Sequence, residues 1–142
     1  MAQAPQPNND SAVVQTWHKL GVVQKLVLDA TFDSGDGSFV AAALDQPIDG
    51  FLVRLVTVPN GATPPDDNYD VTICDEAGVD VLQGVGVNRS NVDVEDRQIL
   101  YLGTNQNFPP IAPSDKLTLH LAGNATPGAR TRIVLYFSVL GN

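Results

Sequence analysis

Cys74, His18 and His120 are the side chains of this 142-residue sequence most able to act as nucleophile or base near neutral pH. Nucleophilic catalysis needs a nucleophile, a base and a group orienting the base, all within hydrogen-bond reach. The sequence does not bring them together. Cys74 stands in an alternating apolar stretch, on the side opposite Val71 and Ile73, with no glycine-rich elbow or helix start to stabilise a thiolate. His120 lies between Leu119 and Leu121 and reads as a solvent-facing strand residue. Carboxylates are plentiful, but the adjacent pairs Asp66-Asp67 and Asp75-Glu76 fall in predicted turns, where Asp accepts local backbone hydrogen bonds. A general acid would need an apolar pocket to raise its pKa. Asp33, Asp36 and Ser38 cluster around two glycines without the spacing or closing glutamate of a calcium loop, so a tight turn is expected. One cysteine and two distant histidines do not make a zinc site. Gly84-Val85-Gly86 lacks the Lys-Ser/Thr of a phosphate loop. The expectation is no enzyme: no catalytic residue, no metal and no cofactor.

Residues of this kind must sit on a scaffold, and the composition says which kind. Fourteen of the sixteen acids are Asp, lysine occurs three times, and there are eighteen valines, twelve glycines and ten prolines. Asp, Gly and Pro favour turns, and Val favours half-buried strands. The net charge of −8 repels phosphate backbones, so no nucleic-acid partner is expected. No apolar run approaches the length that spans a bilayer, so no membrane partner is expected either. Residues 1–10 carry two prolines and neither the basic nor the apolar part of a secretory signal. They read as a flexible N-terminal arm on a chain made in the cytosol, and residues 11–142 as one domain. A lone cysteine leaves packing and strand pairing to hold the fold.

Residues 11–20 fit a helix face through Val13, Val14, Trp17 and Leu20, with Gly21 as its stop. Their β-branched residues favour a strand instead. Residues 22–32 place Leu26, Leu28, Ala30 and Phe32 on one side, and residues 38–43 suggest a short strand. Residues 48–58 form a long apolar strand in which Arg54 alternates against Val53 and Leu55. Tyr69, Val71 and Ile73 alternate against Asp70, Thr72 and Asp75, and Asp75 to Gly78 reads as a hairpin turn returning through residues 79–82. Residues 84–96 read as a surface loop, 97–102 as a strand, 105–114 as a Pro-rich loop, and 116–121 and 129–140 as the last strands. The prediction is an all-β domain of eight to nine strands, a β-sandwich or jelly-roll-like fold. Trp17, Arg89 and Phe108 are the expected subunit contacts. Arg89 reads as either a solvated side chain or an intersubunit salt bridge.

Residues 48–90 carry a further pattern: Ile48-Asp49-Gly50, Asp67-Asn68-Tyr69-Asp70-Val71, the turn from Asp75 to Leu82, and the Gly-x-Gly-x-Asn-Arg run from Gly84 to Arg89. With the closing Ile133-Val134-Leu135-Tyr136, this resembles small structural proteins of tailed bacteriophages. The resemblance implies a virion component assembled in the host cytoplasm, and a capsid decoration (cement) protein is the first expectation. It further implies a homo-oligomer, trimeric on local three-fold axes, whose other partner is the major capsid protein. A neck, connector or tail protein is the alternative. A carbohydrate- or receptor-binding sandwich, with Trp17, Tyr101 and Phe108 for stacking, is the third reading.

Overall fold

The computed structural model describes residues 8–48, 50–99 and 116–139. Among them are eight strands and no helix: β1 (Ala12–Leu20), β2 (Val23–Thr31), β3 (Ala42–Ala43), β4 (Gly50–Pro59), β5 (Asp70–Cys74), β6 (Glu95–Gln98), β7 (Thr118–Ala122) and β8 (Arg130–Val139). They pair antiparallel into a five-stranded sheet, β1-β2-β8-β4-β6, and a three-stranded sheet, β3-β7-β5. The protein is an all-β sandwich. β8, last in the chain, lies between β2 and β4, so the larger sheet is complete only when the C-terminal strand is in place.

The alternation of the sequence builds the core directly. Leu26, Leu135 and Leu55 face one another across β2, β8 and β4, and Leu28, Ile133 and Thr57 form the next row. Every one of these is fully buried. Val71 and Ile73 of β5 and Leu119 and Leu121 of β7 close on them from the smaller sheet. Burial of a large aliphatic side chain contributes about 1.5–3 kcal/mol, so this inner layer stabilises the domain without disulfide or metal.

Residues 11–20 resolve as a strand. Gly21, with φ of +88°, takes the first position of a two-residue turn joining β1 to β2, a geometry that favours glycine. Four expectations need correction. The register of β4 against β8 shifts between Leu52 and Arg54, so Val53 and Arg54 are both exposed. An inserted residue reverses which face later side chains occupy. Residues 38–43 yield only the two-residue β3. Residues 79–82 do not return as a strand, because a single bridge joins Cys74 to Asp80 before the chain turns away. Residues 84–94 are irregular and largely exposed, but Gly86 and Arg89 are buried against β5, and Glu95 and Asp96 belong to β6 rather than to a loop. The end of the expected arm is also pinned. Asp10 N donates to Asp33 Oδ1 at 2.8 Å, and Asp10 accepts from Ser34 N at 2.7 Å and from Ser34 Oγ at 2.6 Å. Phe108, Tyr101 and the Pro-rich loop at 105–114 lie outside the described residues.

Candidate functional site

Several loop carboxylates are committed to the backbone. Asp33 Oδ2 accepts from Gly35 N and Asp36 N, both at 3.0 Å. Asp36 Oδ1 accepts from Ser38 N at 2.9 Å and Ser38 Oγ at 2.6 Å. Asp66 takes Ala125 N at 2.8 Å and the Thr126 hydroxyl, tying two loops distant in sequence. Asp75 Oδ1 closes its own turn on Ala77 N at 2.9 Å and Val79 N at 3.0 Å. Asp80 is shared among Ile73 N, Leu82 N and Gly84 N at 3.2, 3.0 and 3.0 Å. This explains why the predicted return strand is absent: the Asp80 side chain supplies acceptors that a strand backbone would have supplied.

Such bonding favours the charged form. Hydrogen bonds from Ser34 hold Asp10 below the ordinary aspartate value of 3.8, those from Ser38 do the same for Asp36, and those from Thr126 and Ala125 for Asp66. A general acid needs the opposite shift. The pH dependence follows in sign. A carboxyl with a depressed folded pKa contributes stability above the unfolded value, and that stability is lost as pH falls through the folded value. Protonating the other acids relieves the repulsion of a chain at −8, which stabilises. The clamps act on specific bonds and the general repulsion is screened by salt, so the clamps dominate. In about 0.15 M salt the melting temperature is expected to fall as pH drops below about 4, and Asp66→Asn to flatten that fall. A melting temperature that rises between pH 5 and pH 3 would contradict this.

One buried polar group lies between the sheets. Tyr69 is fully buried, and its hydroxyl is 2.7 Å from Thr131 Oγ1. Burial pushes its phenol above the usual value, partly offset by the hydrogen bond with Thr131. Arg89 is 5% exposed and lies on the same side of the sandwich. Its Nε and Nη2 donate to Val87 O at 3.1 and 2.9 Å, and Nη1 is 3.5 Å from Glu95 Oε1. The arginine is therefore not solvated, and its ionic partner belongs to its own chain. Trp17 packs edge-on against Phe137 with centroids 6.3 Å apart, half-buried at the margin of the core. Trp17 on β1 and Arg89 in the segment between β5 and β6 thus have different partners. His120 is exposed beside Thr72, and Cys74 is half-buried on the same outer face. Among the described residues no group of three His, Cys, Asp or Glu side chains is placed to hold a metal. An open depression of about 330 Å³ is lined by Asp29, Asn60, Arg130 and Arg132 among others. Arg132 there is already paired with Asp29 at 2.7 Å.

The sheet edges are treated unequally. Along β5, Val71 N donates to Gly86 O at 2.7 Å, Val81 N to Ile73 O at 2.7 Å, and Arg89 N to Tyr69 O at 2.7 Å, so residues 79–89 cover that edge. β6 is four residues long and carries Glu95, Asp96 and Arg97. β3 is two residues long, and the Gln15 side chain covers its flank, donating to Ala43 O at 2.9 Å and accepting from Asp45 N at 2.8 Å. β1 is nine residues long and, among the described residues, no other segment covers it; Lys19 is its one charged side chain. Phe32 N donates to Ala129 O at 2.8 Å, one step beyond the Thr31–Arg130 pair. Even-numbered residues of β2 therefore bond to β8 and odd-numbered ones to β1. By the register Ala12↔Thr31, the even residues of β1 bond to β2, and Val13, Gln15, Trp17 and Lys19 turn their backbone groups outward. Those groups meet no backbone partner among the described residues. Long edges of this kind are templates for another chain, and β1 is the candidate functional site.

Comparison with known families, curated proteins and solved structures finds no match.

Proposed function

We propose that this protein is a non-enzymatic structural component of a tailed-bacteriophage virion, specifically a capsid decoration subunit that stabilises the head shell. The observation carrying the reading is what the motif residues of 48–90 do. Asp67 accepts from Asn91 N at 3.2 Å, and Tyr69 fills the core. Asp75 and Asp80 shape the turn, and Gly86 and Arg89 dress the edge of β5. Each has a scaffold role, and none is left aimed at a substrate. Among the described residues the domain is thus a block with clamped loops and one long edge that no other segment covers.

Its partners in this reading are further copies of itself and the major capsid protein, with assembly in the host cytoplasm. Apolar surface buried at such contacts contributes about 25 cal/mol per Å². Many copies, each weakly bound, add up over a shell. Quantitative mass spectrometry of purified particles tests this. The expected copy number is comparable with that of the major capsid protein. Only a ring's worth of copies would move the protein to the neck or tail, and its absence from particles would overturn the virion reading.

A further inference from the structure

We infer that β1 pairs antiparallel with β1 of a second copy, joining two five-stranded sheets into one continuous sheet about a two-fold axis at Thr16. The inference starts from the outward groups of Val13, Gln15, Trp17 and Lys19, which offer four N–H donors and four carbonyl acceptors at two-residue spacing. In an antiparallel pair, facing residues that both point into the gap exchange two hydrogen bonds. One self-pairing register uses all four residues. It sets Val13 against Lys19 of the second copy and Gln15 against Trp17 of the second copy, each pair occurring twice. Thr16 then meets Thr16, and Val14 meets His18.

Charge favours a second copy as the occupant. The chain carries sixteen acids and a net charge of −8, yet none of those acids lies in β1. Two copies meeting at β6 would set Glu95 and Asp96 near their own kind. At β1 the register places no like charges opposite each other, whereas like charges directly opposite are destabilising. Pairing also covers Val14, which is 64% exposed on the free sheet face. That face offers a weaker surface, because its central valines Val27, Val134 and Val56 lie between the ion pairs Asp29–Arg132 and Arg54–Asp96. The contact is two-fold, unlike the three-fold arrangement the resemblance suggests, and it does not depend on where in a particle the protein sits.

The test uses the full chain. Sedimentation across micromolar concentrations is expected to show reversible dimers. Lys19→Pro removes an outward N–H without touching the β1–β2 ladder, because proline is tolerated where an edge N–H faces away. It is expected to weaken the dimer at least about tenfold, a loss of ~1.4 kcal/mol. Register is read by disulfide capture in a Cys74→Ser background. Thr16→Cys brings two thiols together across a pair whose Cα atoms are about 4.5 Å apart, within bridging range, so rapid crosslinking is expected. Val14→Cys places its two thiols several residues apart and is expected not to crosslink. A monomer at every concentration, a trimer, or capture by Val14→Cys but not Thr16→Cys overturns the inference. Abundant copies in virions from a chain that is monomeric in solution would sink this pairing and leave the virion reading standing. Dimers of a chain absent from virions would do the reverse.

Discussion

Gly86→Ala is expected to destabilise the domain by about 3 kcal/mol, lowering the melting temperature by roughly 10 °C. A Cβ at residue 86 would stand 2.2 Å from Val71 O and 3.1 Å from Val71 C. Both are backbone atoms, so no rotamer change can relieve the contact. Nor is the backbone free to retreat. Val71 N donates to Gly86 O at 2.7 Å, Val71 is fully buried, and it pairs with Leu121 on its other side. The substitution must push residues 79–89 off the β5 edge, uncovering the backbone groups of Tyr69, Val71 and Ile73. Aggregation on heating is expected as a second consequence. Gly61→Ala is the control, because a Cβ there meets nothing within 4 Å. Urea unfolding of both variants decides it. Equal midpoints would mean that the 79–89 segment does not cover β5 in solution.

Gly86 also shows where reading the sequence stopped short. Strands with period-two alternation are legible: Leu26, Leu28, Ala30 and Phe32 fall on one face, and all are buried. That signal is local, since each side chain needs only the opposite preference in its neighbour. The β5 edge carries no such signal. Its cover comes from main-chain groups of Gly86 and Arg89 and from the carboxylate of Asp80, and side-chain type does not encode backbone contacts made at a distance. The bulge at Val53 was hidden for a related reason, because one extra residue in an apolar run leaves the run apolar. Strand order was equally invisible, since β8 fits between β2 and β4 by tertiary packing alone. The open β1 edge follows from that order and from one hydrogen bond, Phe32 N to Ala129 O, which fixes the parity of every pair outward from it. The outward backbone of β1 has no signature of its own in the sequence: the acid-free run that contains it extends from Ser11 to Leu28, and residues 116–142 form a longer one.

Arg89→Ala is expected to cost about 3 kcal/mol, at the low end of what breaking a buried ion pair costs, and to leave the oligomeric state unchanged. The guanidinium side chain is 6% exposed and Glu95 is 23% exposed. Removing the arginine leaves a carboxylate that water can partly reach and that still accepts from Ser90 N at 2.6 Å, which keeps the loss from being larger. What goes with it are the two donations to Val87 O and the packing beside Tyr69. Arg89→Lys should recover little, because an ammonium cannot fork onto a carbonyl and a carboxylate together. The outcome separates two roles by different instruments. A contact across subunits would change the mass seen in sedimentation while sparing the unfolding midpoint. A strut inside one subunit lowers the midpoint and spares the mass, and that is the expected result, because the buried guanidinium finds its carbonyl and carboxylate partners within its own chain.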